Sequence, residues 1–204
     1  MSISVVADAD TLFPATMRGL LIYLDYRGLI KLHWSPLILD EVSRALVGTA
    51  RKKTLAEAKA NEERMCDALP NALISVEEVQ AQFHAVEAAV NSVKDMHVAA
   101  CAYYLIAANA YPGTEAVVLV TRNTKDFKKG ALATLGIELR KPDQFLSGLF
   151  VMQPRDFAFA FHHFRTDLAS RPEPEALLER LHKDGLVQTA KALLASHQAG
   201  AQRL

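Results

Sequence analysis

Short apolar runs alternate with stretches of helical periodicity along most of the chain. The runs 3–6 and 116–121 are continuously apolar and rich in β-branched residues, which is typical of strands buried on both faces. Weaker strand signals occupy 29–34, 73–76 and 136–140. Because strands and helices alternate, the pattern predicts an α/β fold with a central parallel sheet covered on both sides.

Helices are expected between these strands, at 16–26, 37–47, 52–69, 77–90 and 94–110. Ser35 and Pro36 form a favourable opening for the second helix, with serine as the N-cap and proline in the first turn. Gly28 is placed to end the first helix. The helix at 94–110 is apolar on nearly every face after its first turn, so we expect it to be buried in the middle of the fold.

The C-terminal part of the chain has no strand signal after Pro142. Segments 150–168 and 174–195 have helical periodicity, and a proline-containing breaker separates them. We therefore predict two parts, an α/β domain at 1–146 and a helical C-terminal extension at 147–204.

Composition limits the classes of function that fit. The chain has 204 residues, 50% of them hydrophobic, and its 23 basic and 23 acidic side chains give a formal net charge of zero. A general nucleic-acid coat needs a basic excess, so neutrality argues against one while allowing a local basic rim around an acidic pocket. Low self-repulsion also favours self-association or binding of a partner protein.

Three features favour a soluble protein of the cytoplasm. Cys66 and Cys101 fit neither a disulfide framework nor a zinc spacing, which agrees with a reducing compartment. The N-terminus has no basic start and reaches Asp8 early, unlike a signal peptide. The longest apolar stretch, 98–108, is well short of the ~20 residues that a membrane span needs. We expect no membrane association.

Four acidic residues stand where predicted elements begin or end: Asp8, Glu41, Asp95 and Asp126. Asp8 and Asp126 each follow a strand, and the carboxyl ends of parallel neighbouring strands meet at one edge of a sheet. Asp95 opens the buried helix, where the helix dipole favours negative charge. Carboxylates that converge repel each other unless a cation lies between them, and Mg²⁺ or Mn²⁺ prefers such oxygen ligands. The pattern predicts a metal-dependent enzyme that cuts phosphodiesters.

Each acid also has an ordinary structural interpretation. Asp95 alone fits a helix cap, and Asp8 with Asp10 fits a turn after a strand. Glu41 alone fits a solvated helix position, and its neighbour Asp40 points about 100° away around the axis, so only one of this pair can face a cleft. The ordered occurrence of all four acids is what favours a common site.

The ordered motifs VVADADTLF, WSPLILDEVSRAL, KDMHVAACA and VTRNTKDF resemble the PIN-domain ribonucleases, in particular the VapC-like toxins of bacterial toxin–antitoxin pairs. The resemblance covers roughly 3–146, and the tail motif PEPEALLERLHKDGL is similar to an extension in one subgroup. It implies a three-layer α/β/α sandwich whose acidic pocket holds one or two Mg²⁺ or Mn²⁺ ions. It also implies an RNA substrate, a cognate antitoxin protein and a possible homodimer.

The resemblance assigns roles to three of the acids. Asp8 and Asp95 match direct metal ligands, and Glu41 matches either a ligand or the group that orients the attacking water. A divalent ion held by carboxylates lowers the pKa of a bound water and polarises a phosphate oxygen, so that hydroxide attacks phosphorus in line with the leaving sugar oxygen. Mg²⁺ keeps several waters and needs few direct protein ligands.

The fourth acidic position departs from the family pattern. Many members have Asp two residues after the threonine that matches Thr121, whereas this chain has Asn123 there, and Asp126 is the nearest carboxylate. Asp10 stands where the family often has Asn, and it either strengthens metal binding or holds the turn. We expect Thr121 to donate a hydrogen bond to Asp8 across the strand ends.

Basic residues flank the fourth acid, and they either grip RNA phosphates or form a solvated loop. They are Arg122, Lys125, Lys128 and Lys129. His97, two residues after Asp95, is interpreted as a packed or surface histidine rather than a ligand.

Two other functions fit parts of the sequence. The motif DADTL is similar to the opening of haloacid dehalogenase-like phosphatases, but Thr11 comes one position too early for that pattern and no late Asp-Asp pair follows a strand. A PIN-like binding module whose site has decayed is the other alternative, and Asn123 in place of an acid favours it.

Overall fold

A four-stranded sheet forms the centre of the α/β fold. The structure is a computed structural model, and it describes residues 3–112 and 117–204. The strands are β1 (Ile3–Ala7), β2 (Ile30–His33), β3 (Val117–Val120) and β4 (Ile137–Arg140). All are parallel, in the order β2-β1-β3-β4. The predicted fold class, α/β with a central parallel sheet flanked by helices, is confirmed.

Helices occupy most of the remaining described residues. They are α1 (Ala9–Leu12), α2 (Ala15–Tyr26), α3 (Pro36–Gly48), α4 (Leu55–Ala68), α5 (Val76–Gln80), α6 (Phe83–Val86), α7 (Met96–Ala107), α8 (Lys129–Thr134), α9 (Pro142–Met152), α10 (Pro154–Asp167), α11 (Pro174–Lys183) and α12 (Val187–Gln198). Among these helices none is long and apolar enough to cross a membrane.

The predicted helix boundaries that depend on capping residues are confirmed. Ser35 caps α3 and its hydroxyl accepts a hydrogen bond from the Ile38 N–H at 3.4 Å. Gly28 follows α2 with φ of 76°, a left-handed conformation that favours glycine. Helix α7 is buried along most of its length, as its apolar sequence predicts.

Two predictions in the middle of the chain are wrong. Segment 73–76 is not a strand of the sheet, because only an isolated bridge joins Leu73 to Trp34 and α5 already begins at Val76. The single helix predicted at 77–90 is divided into α5, α6 and a 3-10 turn at Glu87–Ala89. A capping box between Ser75 and Glu78 fixes the start of α5, a local signal stronger than the short apolar run before it.

The C-terminal helices are also more numerous than predicted. Pro142 begins α9 instead of only closing β4, and Pro154 begins α10, so the helix expected at 150–168 starts in one helix and ends in the next. Gly185, with φ of 89°, separates α11 from α12 inside the segment predicted as one helix. The short helices α1 and α8 were not predicted.

The described chain forms two compact units, and neither is continuous in sequence. One contains Ile3–Phe13 and Lys31–Arg140, with the sheet and α3 to α8. The other contains Pro14–Ile30 and Lys141–Leu204 and is helical. This division differs from the predicted boundary after residue 146, because α2 packs against α10 and α11 of its own unit.

Candidate functional site

Asp8 lies at the carboxyl end of β1, beside the end of β3. Ala7 pairs in register with Val120, and the Asp8 N–H donates to the Val120 carbonyl at 3.0 Å. Thr121 Oγ1 donates to Asp8 Oδ2 at 2.8 Å, so the contact expected across the strand ends is confirmed. The parallel pairing of β1 and β3 therefore fixes the orientation of a carboxylate that is only 7% exposed.

Burial and neighbouring carboxylates raise the pKa of Asp8 to about 7. Burial is the largest cause, the charge of Asp10 is second, and the charge of Glu41 adds a smaller effect in the same direction. Hydrogen bonds from Thr121 and from the Ala9 N–H, which donates to Asp8 Oδ1 at 2.6 Å, oppose the rise without cancelling it. Asp10 in α1 and Glu41 in α3 therefore both lie close enough to Asp8 to raise its pKa.

Asp10 holds the loop that follows β3. Its Oδ2 accepts hydrogen bonds from the Arg122 N–H at 3.0 Å and from the Asn123 N–H at 3.1 Å. Thr121 Oγ1 also lies 3.3 Å from this oxygen. Of the two roles considered for Asp10, these contacts favour the one in which it holds the turn.

Asn123 and Asp126 lie side by side at the fourth acidic position. Asn123 precedes the 3-10 turn Thr124–Asp126 and Asp126 ends it, and the Asn123 side-chain amide donates to Asp126 Oδ2. The Asn91 N–H donates to the Asp126 carbonyl at 2.8 Å, and the Lys128 N–H donates to the Ala89 carbonyl at 2.9 Å. These backbone bonds fasten the loop to the segment before α7 and bring Asp126 towards Asp95.

Asp95 immediately precedes α7, as predicted, but its side chain makes no capping hydrogen bond. Partial burial, followed by the charge of Asp126, raises the pKa of Asp95, while His97 and Lys94 act in the opposite direction. The charge of Asp10 adds to the rise. The hydrogen bond that a helix-capping role for Asp95 requires is therefore not formed. Instead, Asp95 has two other acids near it, Asp126 and Asp10.

The structure distinguishes Glu41 from its neighbour Asp40. Asp40 forms ion pairs with Lys59 and Arg44, both at 3.0 Å, on the side of α4. Glu41 instead lies with its Oε1 3.7 Å from His97 Nε2. Since the charge of Glu41 also raises the pKa of Asp8, Glu41 is the member of the pair that faces the acidic residues.

His97 was not predicted to belong to the site. It is buried in α7, 8% exposed, and its Nε2 has no hydrogen-bond partner among the described residues. Its contact with Glu41 depends on how α3 and α7 pack, which the sequence does not specify. The sequence feature that could have pointed to His97 is its imidazole ring in the first turn of an otherwise apolar helix.

The basic residues predicted to bind RNA are exposed around the loop after β3 and the start of α8. These are Arg122, Lys125, Lys128 and Lys129. Their placement next to Asp126 follows from the chain order. It is compatible with a basic rim, and it does not distinguish a phosphate contact from a solvated loop.

The acids form two overlapping groups that share Asp10. One group is Asp8, Asp10 and Glu41, and the other is Asp95, Asp126 and Asp10. Within residues 3–112 and 117–204, however, no group of three or more His, Cys, Asp or Glu side chains is placed to hold a metal ion. The direct pairing of Asp8 with Asp95 as metal ligands stays a prediction.

Comparison of the chain with models of protein families, with curated proteins and with solved structures found no match. The resemblance to PIN-domain ribonucleases is therefore a prediction that depends on the four motifs alone.

Proposed function

We propose that the chain is a divalent-metal-dependent endoribonuclease that hydrolyses RNA phosphodiesters. The observation that carries this proposal is Asp8, a buried carboxylate whose pKa is raised to about 7 beside Asp10 and Glu41. The charges of Asp10 and Glu41 raise the pKa of Asp8, and the charges of Asp126 and Asp10 raise the pKa of Asp95. A cation from solution would relieve this repulsion, and perturbed carboxylates gathered in this way are common at catalytic sites.

The donor set suits Mg²⁺ or Mn²⁺ in its chemistry, because every candidate ligand is a carboxylate oxygen. Asp8 and Asp95 would hold the ion, Glu41 would be a further ligand or orient the attacking water, and Asp126 with Asn123 would give outer support. Two direct protein ligands suffice for Mg²⁺, because this ion retains several of its waters. When bound, the ion would supply Lewis-acid activation of water and of a phosphate oxygen.

The chain's own residues would orient the reactants. Thr121 and the Ala9 N–H hold both oxygens of Asp8 by hydrogen bonds, so its carboxylate cannot rotate freely. Glu41 would orient the attacking water and accept its proton as the new bond to phosphorus forms and the sugar oxygen leaves. The exposed basic side chains near Asp126 would contact RNA phosphates on one side of the cleft.

The activity test compares RNA cleavage by the wild type with cleavage by Asp8→Asn and Asp95→Asn, with and without EDTA. We expect EDTA to abolish cleavage and each substitution to lower it at least 100-fold, since each removes a proposed ligand. Asp40→Asn is the matched control, because Asp40 is adjacent to Glu41 but paired with Lys59. Cleavage that survives both substitutions would show that these acids are not the site.

We further propose that this nuclease is the toxin of a toxin–antitoxin pair and acts in the cytoplasm. The neutral net charge and the exposed apolar side chains of Val93, Val151 and Met152 support binding of a partner protein or a second copy. The test is expression alone and together with any small DNA-binding protein encoded next to it. Growth arrest that co-expression relieves would support the proposal, and growth without arrest would oppose it.

One alternative keeps a specific observation in its favour. Asn123 occupies the expected acidic position and donates to Asp126, which reduces the negative charge available at this corner. That contact fits a PIN-like binding module that has lost catalysis. Titration calorimetry with Mn²⁺ separates the two functions, since the decayed module would take up no metal.

The phosphatase alternative gains no support from the contacts of Asp10. A phosphatase of the haloacid dehalogenase type would use the second aspartate of DADTL as a proton donor to the leaving group. In this structure both oxygens of Asp10 accept hydrogen bonds, including those from the Arg122 N–H and from Thr11 Oγ1.

A further inference from the structure

His97 is a buried polar side chain that the proposed mechanism does not yet use. It is 8% exposed, and its Nε2 atom has no hydrogen-bond partner within the described part of the chain. Folded proteins rarely keep a buried nitrogen unsatisfied, because the lost hydration is not compensated. An orphan atom of this kind therefore calls for a partner within reach of the side chain.

The nearest acid supplies such a partner. Glu41 Oε1 on α3 lies 3.7 Å from His97 Nε2 on α7, a distance too long for a hydrogen bond but shorter than the 4.0 Å limit of an ion pair. A shift of less than about 1 Å in either side chain would bring the two atoms to hydrogen-bond distance. The two helices already pack against each other.

Glu41 also needs a restraint that its own helix does not provide. Its side chain is 37% exposed, and among the described residues its ion-pair partner is His97. Asp40, by contrast, is held between Lys59 and Arg44. A glutamate with three rotatable side-chain bonds orients a water poorly unless a second group fixes its carboxylate.

We propose that His97 is a positioning residue whose Nε2–H donates a hydrogen bond to Glu41 Oε1 and holds that carboxylate in its working orientation. Glu41 Oε2 is then left to orient the attacking water. Because His97 Nε2 is shielded from solvent, it acts through Glu41 and does not contact RNA. The inference depends on the proposed ribonuclease function, which it extends to the support of one catalytic group.

The contact itself can be tested in the full-length, metal-free protein by ¹⁵N NMR of the histidine rings. We expect His97 Nε2 to carry the proton, and we expect Glu41→Gln to move its resonance by several parts per million in ¹⁵N. Asp40→Asn should leave that resonance in place, because Asp40 is turned towards Lys59. An Nε2 resonance that is the same in the wild type and in Glu41→Gln would overturn the proposal.

The functional consequence is tested with His97→Leu, which removes the donor but keeps apolar bulk, and His97→Gln, which keeps an N–H donor of similar reach. On a fluorescent single-stranded RNA that the wild type cleaves, we expect His97→Leu to lower kcat about 10- to 100-fold with KM within twofold. His97→Gln should recover kcat to within about fivefold of the wild type. Thermal melts of both variants show whether each is folded.

Combination with Glu41→Gln distinguishes positioning from a general structural effect. If His97 acts through Glu41, His97→Leu should cause less than a twofold further loss of kcat in the Glu41→Gln background. Equal losses in both backgrounds, or equal impairment by His97→Leu and His97→Gln, would contradict the proposal. A wild type that cleaves no RNA would refute the proposed function, while the NMR comparison would still decide whether His97 binds Glu41.

Discussion

At the scale of single residues, the most informative group is Asp8, because its environment favours the protonated acid. Burial and neighbouring acids raise its pKa from 3.8 to about 7 in the folded protein. A raised pKa in the folded state means that this residue contributes stability below about pH 4 and that the contribution is lost as the pH rises to about 7.

The metal-free wild type should therefore lose stability between pH 4 and pH 7 because of Asp8. At 1.36 kcal/mol per pKa unit, the loss amounts to at most about 4 kcal/mol. Asp8→Asn should remove this part of the dependence, because asparagine does not ionise. The substitution can be accommodated, since the asparagine amide can donate to Thr121 Oγ1 while the Thr121 proton turns to Asp10, 3.3 Å away. Urea unfolding at a series of pH values measures the difference between the two proteins.

Two comparisons make the pH experiment specific. Mn²⁺ should flatten the wild-type profile and should not affect Asp8→Asn, because a bound cation stabilises the ionised carboxylate. Asp40→Asn should keep the wild-type slope. Parallel curves for the wild type and Asp8→Asn would mean that burial does not perturb this carboxylate.

Residue-level prediction from sequence succeeded where strand geometry decides the contact. The bond between Thr121 and Asp8 follows from parallel strands that end side by side, and both strands were visible as apolar runs. The position of His97 beside Glu41 could not be predicted in this way, because it depends on the rotation of two packed helices. Which of Glu41 and Asp40 faces the acidic residues depends on the rotation of α3 in the same way, so the sequence alone could not decide it.

At the scale of elements, one side chain adds to the backbone hydrogen bonds that hold the loop after β3. Asp10 accepts hydrogen bonds from the backbone N–H groups of Arg122 and Asn123. In Asp10→Ala these groups would lose their acceptors, so amide hydrogen exchange across 121–127 should become about tenfold faster or more. Mass spectrometry of peptic peptides measures it.

The control for this loop experiment is Glu63→Ala, because Glu63 is an exposed acid in α4. It should leave exchange in the loop unchanged. Unchanged exchange in Asp10→Ala as well would mean that the backbone bonds to the segment at 89–91 hold the loop by themselves.

The close approach of α2 and α10 at Gly19 leads to a second prediction. A Cβ atom added to Gly19 in α2 would collide with the ring of Phe164, a buried residue of α10. We expect Gly19→Ala to destabilise the protein by about 1–3 kcal/mol, despite the better helix propensity of alanine. Gly148→Ala in α9 is the matched control, because nothing lies within 4 Å of its added Cβ.

Gly148→Ala should be neutral or stabilising by up to about 1 kcal/mol. Urea midpoints of the two variants make the comparison direct. A Gly19→Ala protein as stable as Gly148→Ala would show that the Phe164 ring moves aside at little cost.

Elements were predictable where a local signal decides them. The strands β1 and β3, the end of α2 before Gly28 and the start of α3 after Ser35 follow from apolar runs and capping residues. The segment at 73–76 looks locally like a strand but is used only as a bridge to Trp34, because pairing in the sheet is decided by distant residues. The sequence pattern predicts Pro142 as the end of β4 and places Pro154 inside one helix, whereas each of them begins a helix, because proline is tolerated in the first turn but not in the interior.

At the scale of the whole molecule, the two compact units predict how the chain tolerates truncation. Helix α2 is close to the N-terminus in sequence, but it packs against α10 and α11 within the unit that contains Pro14–Ile30 and Lys141–Leu204. The buried face of α2 includes Met17, Leu20 and Leu24. A chain shortened to residues 1–146 would therefore lose the two helices against which α2 packs in this unit.

We expect the chain 1–146 to bind the dye ANS strongly and to lose the cooperative thermal transition of the full-length protein, because α2 loses its packing against α10 and α11. Replacing Leu20 and Leu24 by Gln in the shortened chain should reduce the dye binding, which ties the signal to α2. A cooperative melt of 1–146 at the full-length temperature would instead support the boundary predicted from sequence. It would also mean that contacts between α2 and α10 add little to the stability of the unit that contains them.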